Sequence, residues 1–472
     1  MQSRKALTTV VAAIAVLAAG YVAATAYTGH RIAQAYEGRL DDLQHRMPFL
    51  HLQRKAQRGL FSSTYTTEVS FGCKAPMVVG IRDHVRHGPL PGFDGFDGFD
   101  AAVIDSEIVL PEQAPAALRD YAGSLKPGDI RTRVGYGGNF RMEAKLPAGR
   151  FDGTGITVNW PAFRIEGDGS LASFASRFEA SLPELTVQHS DDKDTSSLKL
   201  VDLKMRGESS GEGGGLWMQT GTGAVEIGQV DLESQADGRE VALKLSKVKY
   251  ASETRLDQDL LGGKVGLTAD ATLQLGRDAQ PIRIDDIELR ESFQRLHAPT
   301  LQKFVEEDMA QLSDCGAAAA ADGGKADPAQ VLARSQERMQ ALLMQLLPHD
   351  PEVSVDTLAM RLDGQRGQLS YAVGIHGFRP QGGETFMAAL PRLMKAVTLK
   401  ADASFPAAWV RQLGTLGGDA DGAERRVAQA DTLLDVGVGK GFIVRDGDEL
   451  SSHFVFENGA GTLNGKPLGM RP

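Results

Sequence analysis

The clearest regularity in the chain is an alternation of apolar and polar positions that misses one beat. Val225-x-Ile227-x-x-Val230-x-Leu232, Leu243-x-Leu245-x-x-Val248-x-Tyr250 and Ile282-x-Ile284-x-x-Ile287-x-Leu289 share it, each x being polar or Gly. Ala180-x-Leu182-x-x-Leu185-x-Val187 has the same form, and looser copies begin at Ile156, Leu198 and Val353. Alternation describes a strand with one buried face. A missed beat would turn every later side chain to the other face, so the backbone must absorb it as a bulge or a sharp bend. At 42% apolar content, chance supplies about one or two such matches in a chain of this length. Four strict matches fall between Ala180 and Leu289 at irregular separations, which predicts a long bent meander rather than a solenoid. Eight residues per copy give strands of about 26 Å.

Outside the meander the periodicity changes. Ile32, Tyr36, Leu40, Leu43 and Met47 recur at helical spacing and predict a stalk over residues 30–55. A helix over 111–125 precedes strands at 131–136, 140–146, 156–165 and 171–182. Two helices, 291–312 and 327–348, flank an Ala- and Gly-rich tract at 314–327 that reads as a flexible loop. Asp327, Pro328 and Gln330 supply the second helix with start signals. Strands and short helices then alternate from 353 onward, with Asn458-Gly459 and Asn464-Gly465 favouring tight hairpins. The fold class is α+β and β-dominated: a long bent antiparallel β-meander with packed helices, preceded by an N-terminal transmembrane helix. The divisions are 1–29 as anchor or signal segment, 30–55 as helical stalk and 56–290 as β-rich body. A helical pair over 291–350 follows, and 351–472 continues the body.

The anchor rests on an uncharged run over 6–29, preceded by Arg4 and Lys5. As a helix it is about 36 Å long, enough for a hydrocarbon core of about 30 Å. The basic residues hold the N-terminus in the cytoplasm and send the body across. Ala24-Thr25-Ala26 also resembles a signal-peptidase site, and either reading exports the body. Export bears on the two cysteines: Cys73 and Cys315 are a candidate disulfide, with two unrelated thiols as the alternative. A net charge of −10 and 6% aromatic content count against a nucleic-acid surface.

Candidate chemistry is sparse. His84-x-x-His87 offers two metal ligands where zinc needs three or four. Gly207-Glu208-Ser209-Ser210-Gly211 spells a nucleophile elbow, but the following Gly run cannot start the helix that an elbow requires. The Gly-Phe-Asp triplet repeated over 92–100 lacks the ligand alternation of a calcium loop. Gly439-Lys440 and Gly465-Lys466 lack the rest of a phosphate loop. Met339 and Met344 sit on a helical stripe that serves as core or lines a lipid groove. No cofactor, metal or catalytic residue is assigned.

Several pieces in fixed order resemble the YdgA-like family of bacterial envelope proteins (YdgA/YihF type). They are Tyr27-Thr28-Gly29, then Arg58-Gly59 with Phe61-Ser62-Ser63, then His87-Gly88-Pro89. Arg133-Val134-Gly135-Tyr136-Gly137-Gly138 and Leu463-Asn464-Gly465 follow. The resemblance implies an inner-membrane anchor and a large periplasmic β-rich body, and supplies no activity or catalytic residue. The leading expectation is a non-enzymatic, single-pass inner-membrane protein with a periplasmic body, binding lipid or supporting envelope assembly. A protein-binding scaffold, contacting an envelope protein or a second copy, is the alternative. A hydrolase using the His84 and His87 region is the third.

Overall fold

The computed structural model describes residues 2–47, 50–71, 77–91, 99–173, 175–191, 194–210, 220–236, 239–277, 280–313, 328–414 and 420–468, with backbone alone for 2–17. Strands hold 56% of the chain, against the 20–25% usual in globular proteins. All belong to one 22-stranded sheet. The N-terminal strands are β1 (His51–Arg58), β2 (Ser62–Phe71), β3 (Met77–His87), β4 (Ala102–Val109), β5 (Ile130–Val134), β6 (Asn139–Leu146), β7 (Gly149–Gly153), β8 (Ile156–Trp160) and β9 (Phe163–Ser170). The long strands are β10 (Ser176–Ser190), β11 (Thr195–Ser209), β12 (Gly221–Ala236), β13 (Arg239–Asp257), β14 (Leu260–Leu275) and β15 (Ile282–His297). The sheet closes with β16 (Glu352–Leu362), β17 (Gln365–Ile375), β18 (Val397–Pro406), β19 (Val444–Asp446), β20 (Glu449–Glu457), β21 (Ala460–Leu463) and β22 (Lys466–Leu468). Every pairing is antiparallel. The path runs from β1 to β6, then through β9 to β18, and ends β20–β21–β22; β8 also pairs with β10, and β19 with β20.

The missed beats line up. In β10 to β13 the pairing keeps one register on both sides of a gap, where Pro183, Asp202, Gly228 and Lys247 face one another unpaired. From β13 to β16 each pairing instead shifts by one residue near the same line, a true bulge, whereas β16 and β17 stay in register there and shift at Val355/Leu358. Asp202, Lys247 and Asp286 take left-handed φ values of 56°, 52° and 51°, the local turn that returns the next side chain to the original face. Both readings of the skip therefore occur, the bend in the first four strands and the bulge in the rest. Hydrogen bonding continues past the line, so the strands are far longer than one copy of the pattern: β13 has 19 residues. Together the bends form a crease running across the strands.

The helices are α1 (Gln2–Arg46), α2 (Ala116–Ser124), α3 (Ala298–Ser313), α4 (Pro328–Leu346), α5 (Phe386–Ala396), α6 (Ala407–Gly414) and α7 (Ala420–Gly439). Helical spacing predicts a stalk through residue 55, but α1 ends at Arg46 and the polar segment His51–Arg58 is a strand, held by its ladder to β2. A helix from 291 is also corrected: β15 continues to His297, with Phe293 paired to Val353 and helix starting at Ala298. β15 pairs directly with β16, so α3 and α4 are inserted between neighbouring strands. Asn458 and Asn464 sit at positive φ before Gly459 and Gly465, as the hairpin reading requires. Cys73, Cys315, the 92–98 repeat and the 314–327 tract lie outside the described residues.

Three apolar clusters are sealed. One joins Ile32 and Ala33 of α1 to Tyr65, Val85, Ala102 and Val134. The second joins α4 and α5 through Leu347, Phe378, Ala389 and Leu393, with Met344 packed against it as core, whereas Met339 is exposed. The third seats α3 on Leu261, Phe293 and Leu296. The rest of the sheet is thin. The accessible surface is 29057 Å², where a compact protein of 50.5 kDa exposes about 17,000 Å².

Candidate ligand-binding face

Directly paired residues share a face, so the register tables out which side chains stand together. Across β10 to β15, one row is Ala180, Met205, Val225, Tyr250, Leu267 and Leu289. Next to the crease on that side stand Leu182, Leu203, Ile227, Val248, Ala269 and Ile287. Beyond the crease come Leu185, Leu200, Val230, Leu245, Ala271 and Ile284, then Val187, Leu198, Leu232, Leu243, Leu273 and Ile282. Four rows of six residues carry no charge and no polar group other than the Tyr250 hydroxyl. The strands β10 to β13 nevertheless contain no buried apolar side chain among the described residues. This face is uncovered.

Burial deepens toward the crease. The two rows flanking it are half-buried or better, whereas Met205, Tyr250 and Leu232, one row further out, are exposed. The bend residues project to the opposite, polar face. There Lys247 Nζ lies 2.9 Å from Asp270 Oδ2, and the Asp286 amide donates to Asp270 Oδ1 at 3.0 Å. These contacts pull the Asp270 carboxyl below its usual range, the Lys247 hydrogen bond first, and raise the Lys247 ammonium. The extra residue at each bend thus lengthens the polar side, and the sheet folds toward its apolar side into a shallow valley.

The polar face is charged and carries open clefts. One of about 880 Å³ has a floor of small residues, Thr222, Ala224, Ala251 and Gly266, between Arg206 and Lys264. It shares Arg177 and Glu208 with a second cleft of about 750 Å³. Bases and acids alternate on both rims, so neither cleft concentrates one sign of charge.

The motif positions read from sequence meet elsewhere, where α1 lies on β2 to β4. Thr28 Oγ1 donates to the Gly88 carbonyl at 3.1 Å, and Tyr21 stacks on Phe61 at 6.3 Å. The Gly59 amide donates to the Ser62 carbonyl, and the His87 amide to the Phe61 carbonyl, both at 2.9 Å. Arg58 pairs with Glu37 of α1. Gly29 is required: a Cβ there would lie 2.5 Å from the His87 ring. Pro89 follows Gly88 through a cis bond. Tyr36 donates to Asp83 Oδ2 at 2.5 Å, and burial together with that carboxylate pushes its phenol pKa upward. These residues dock a helix; of the other motif positions, Arg133 and Gly135 line the cleft of about 750 Å³.

His84 and His87 are three residues apart on one regular strand, which sets them on opposite faces. His84 meets Thr64 and Glu107, while His87 is buried, its Nδ1 3.0 Å from the Leu60 carbonyl. They share no site. Among the described residues no group of three or more His, Cys, Asp or Glu is placed to hold a metal. Ser209 is a hairpin strand residue paired with Gly221, the opposite of an elbow. Among the described residues no helix is long and apolar enough to cross a membrane; half of the 6–29 run, residues 6–17, lies outside the described side chains. The end of that run, from Tyr21, is packed on the body.

A thin sheet with one apolar face and a docked N-terminal helix is the structural class. The model of a family described as bacterial proteins of unknown function, DUF945, matches residues 3–470, and the chain belongs to that family. No curated protein and no solved structure matches it.

The apolar repeats were visible in sequence, including the looser copies at Leu198 and Val353. The contribution of β14 was not, because Leu267, Ala269, Ala271 and Leu273 alternate without a skip. The signal for it was that plain alternation.

Proposed function

We propose that this chain is a non-enzymatic envelope protein of the YdgA type, held at the inner membrane by its N-terminal helix with the body in the periplasm. It binds lipid along the apolar face of β10 to β15 and so supports envelope assembly. The observation that carries this reading is the uncovered face of 24 positions, four rows of six, without a charge. An exposed apolar patch of this extent marks a binding surface. Thr25 is fully buried and Tyr21 donates to the Leu90 carbonyl at 3.3 Å. Both lie in or before Ala24-Thr25-Ala26, which favours an uncleaved anchor over a removed signal.

The test is extraction of the full chain in mild detergent, followed by mass spectrometry of co-purifying lipid. Lipid above the level retained by a Leu200→Glu, Val230→Glu variant supports the reading. Equal lipid on both would sink it. The scaffold alternative has less support at the sheet edge. There α1 engages the terminal strand β1, with Gln44 accepting from the Leu52 amide and Asp41 pairing with Arg54.

A further inference from the structure

Resting on the anchor in that reading, we propose that the corner of the body where α1 docks is itself seated in the phospholipid boundary of the bilayer, with Leu60, Phe61 and Tyr136 as its lipid-facing side chains.

The three side chains belong to one corner. Tyr21 stacks on Phe61, and its hydroxyl donates to the Leu90 carbonyl. Leu60 is tied to the same place, because His87 Nδ1 donates to its carbonyl at 3.0 Å. The Tyr136 hydroxyl lies 2.8 Å from where a Cβ on Gly88 would stand. Phe61 is nevertheless 51% exposed, Tyr136 56% and Leu60 45%. Further along the same joint, Tyr65 and Val85 are sealed under α1. The corner is therefore an apolar surface left open where α1 comes onto the body, the kind of patch that marks an interaction site.

The length of α1 sets the depth of that corner. The helix is continuous from Gln2 to Arg46, and its uncharged run begins at residue 6. Residues 6–20 precede the docked part and give about 22 Å, about 8 Å less than a hydrocarbon core of about 30 Å. The missing length has to come from Tyr21 onward, where the helix already lies on the body. The corner is thereby drawn about 8 Å into the boundary, within the depth of about 5–10 Å at which amphipathic surfaces insert. A protein partner would cover the corner equally well but would leave α1 too short to span.

Two further features agree with that depth. The outward side of α1 changes character just past the corner. Val22, Ala23, Ala26 and Tyr27 are exposed and uncharged, whereas His30, Arg31 and Gln34 hold the exposed positions that follow. The docked side continues through Ile32 and Ala33, so the change lies in what surrounds the helix, not in what it packs on. The carbonyls of the corner also have protein donors. Those of Leu60, Phe61, Gly88 and Leu90 accept from His87 Nδ1, the His87 amide, Thr28 and Tyr21 respectively. Backbone oxygens satisfied in this way need no water, as a low-dielectric surrounding requires. Tyrosines at headgroup level, here Tyr27 and Tyr136, suit an interface that is apolar on one side and wet on the other. Arg133 and Asp100, 3.7 Å apart, add no net charge there.

The experiment places single tryptophans at the corner of the full chain, reconstituted in vesicles of phosphatidylethanolamine and phosphatidylglycerol. Nitroxide lipids labelled at the headgroup or deep in the acyl chain serve as quenchers. Phe61→Trp and Tyr136→Trp should lose emission to the shallow label, beyond the loss from the native tryptophans, and less to the deep one. Leu433→Trp, also exposed but on α7, which packs with α6 next to β18, should lose no more than wild type to either. The two corner variants stand on separate segments, so one stays readable if the other fails to fold by circular dichroism. Corner tryptophans quenched no more than Leu433→Trp would overturn the seat while leaving the anchor intact. Wild-type chain stripped from the vesicles by alkaline carbonate would instead sink the anchor reading.

Discussion

The helix joint at the N-terminus and the creased meander are built from the same sheet, and they treat apolar side chains in opposite ways. At the joint, Val85 and Ala102 are 0% exposed because α1 lies over them. On the meander, most residues of the four rows are only partly buried, and among the described residues no helix packs over β10 to β13. The difference is coverage, not composition. It separates the part of the molecule that holds itself together from the part that is left available.

Substitutions should divide along that line. Gly88→Ala ought to have the largest effect, since its Cβ would lie 2.1 Å from the Asp100 carbonyl oxygen, a backbone atom that cannot yield. A loss of about 3 kcal/mol is expected, read as a lower urea midpoint. Tyr36→Phe removes the hydrogen bond to Asp83, which retains only Ser106 at 2.6 Å. It should cost about 2 kcal/mol. Leu245→Ala, by contrast, should cost no more than about 1 kcal/mol, because its side chain is only partly buried. Its main effect should be less co-purifying lipid. A cost equal to that of Tyr36→Phe would show that the face is not open.

The smallest effect concerns His349, whose ring stacks on His297 at 3.9 Å. Burial, then His297, Arg379 and Arg295, pull its pKa below 6.5. The folded state therefore binds fewer protons there than the unfolded chain. Its contribution is full above pH 6.5 and declines as pH falls below that value. Urea midpoints at pH 7.5 and 5.5 should differ less in His349→Gln than in wild type. An unchanged difference would remove this pair from the pH response.

Much of the meander could be read one strand at a time, because alternation and its missed beat are local. The alignment of those beats could not. It depends on which residue of β11 meets which of β12, a property of turns and register rather than of either segment. The strand at His51–Arg58 was hidden because its side chains are nearly all polar, and only pairing with β2 makes it extended. Phe293 and Leu296 suggested a helix because three-residue spacing fits one, but the ladder to β16 holds Phe293 in β15. The motif positions from Arg58 to Pro89 are separate stretches of sequence that the fold brings together against α1. Their purpose as a helix seat required the contact of Gly29 with His87, which lie 58 positions apart in the chain.

The crease also has a mechanical meaning. A lone layer of strands rolls readily about an axis parallel to them, and a sheet that rolls far enough shuts into a tube. A fold running across the strands opposes that motion, because the fold line itself would have to curve. The row from Pro183 to Asp286 is in this sense a stiffening rib, and it keeps a single-layered sheet from closing on itself.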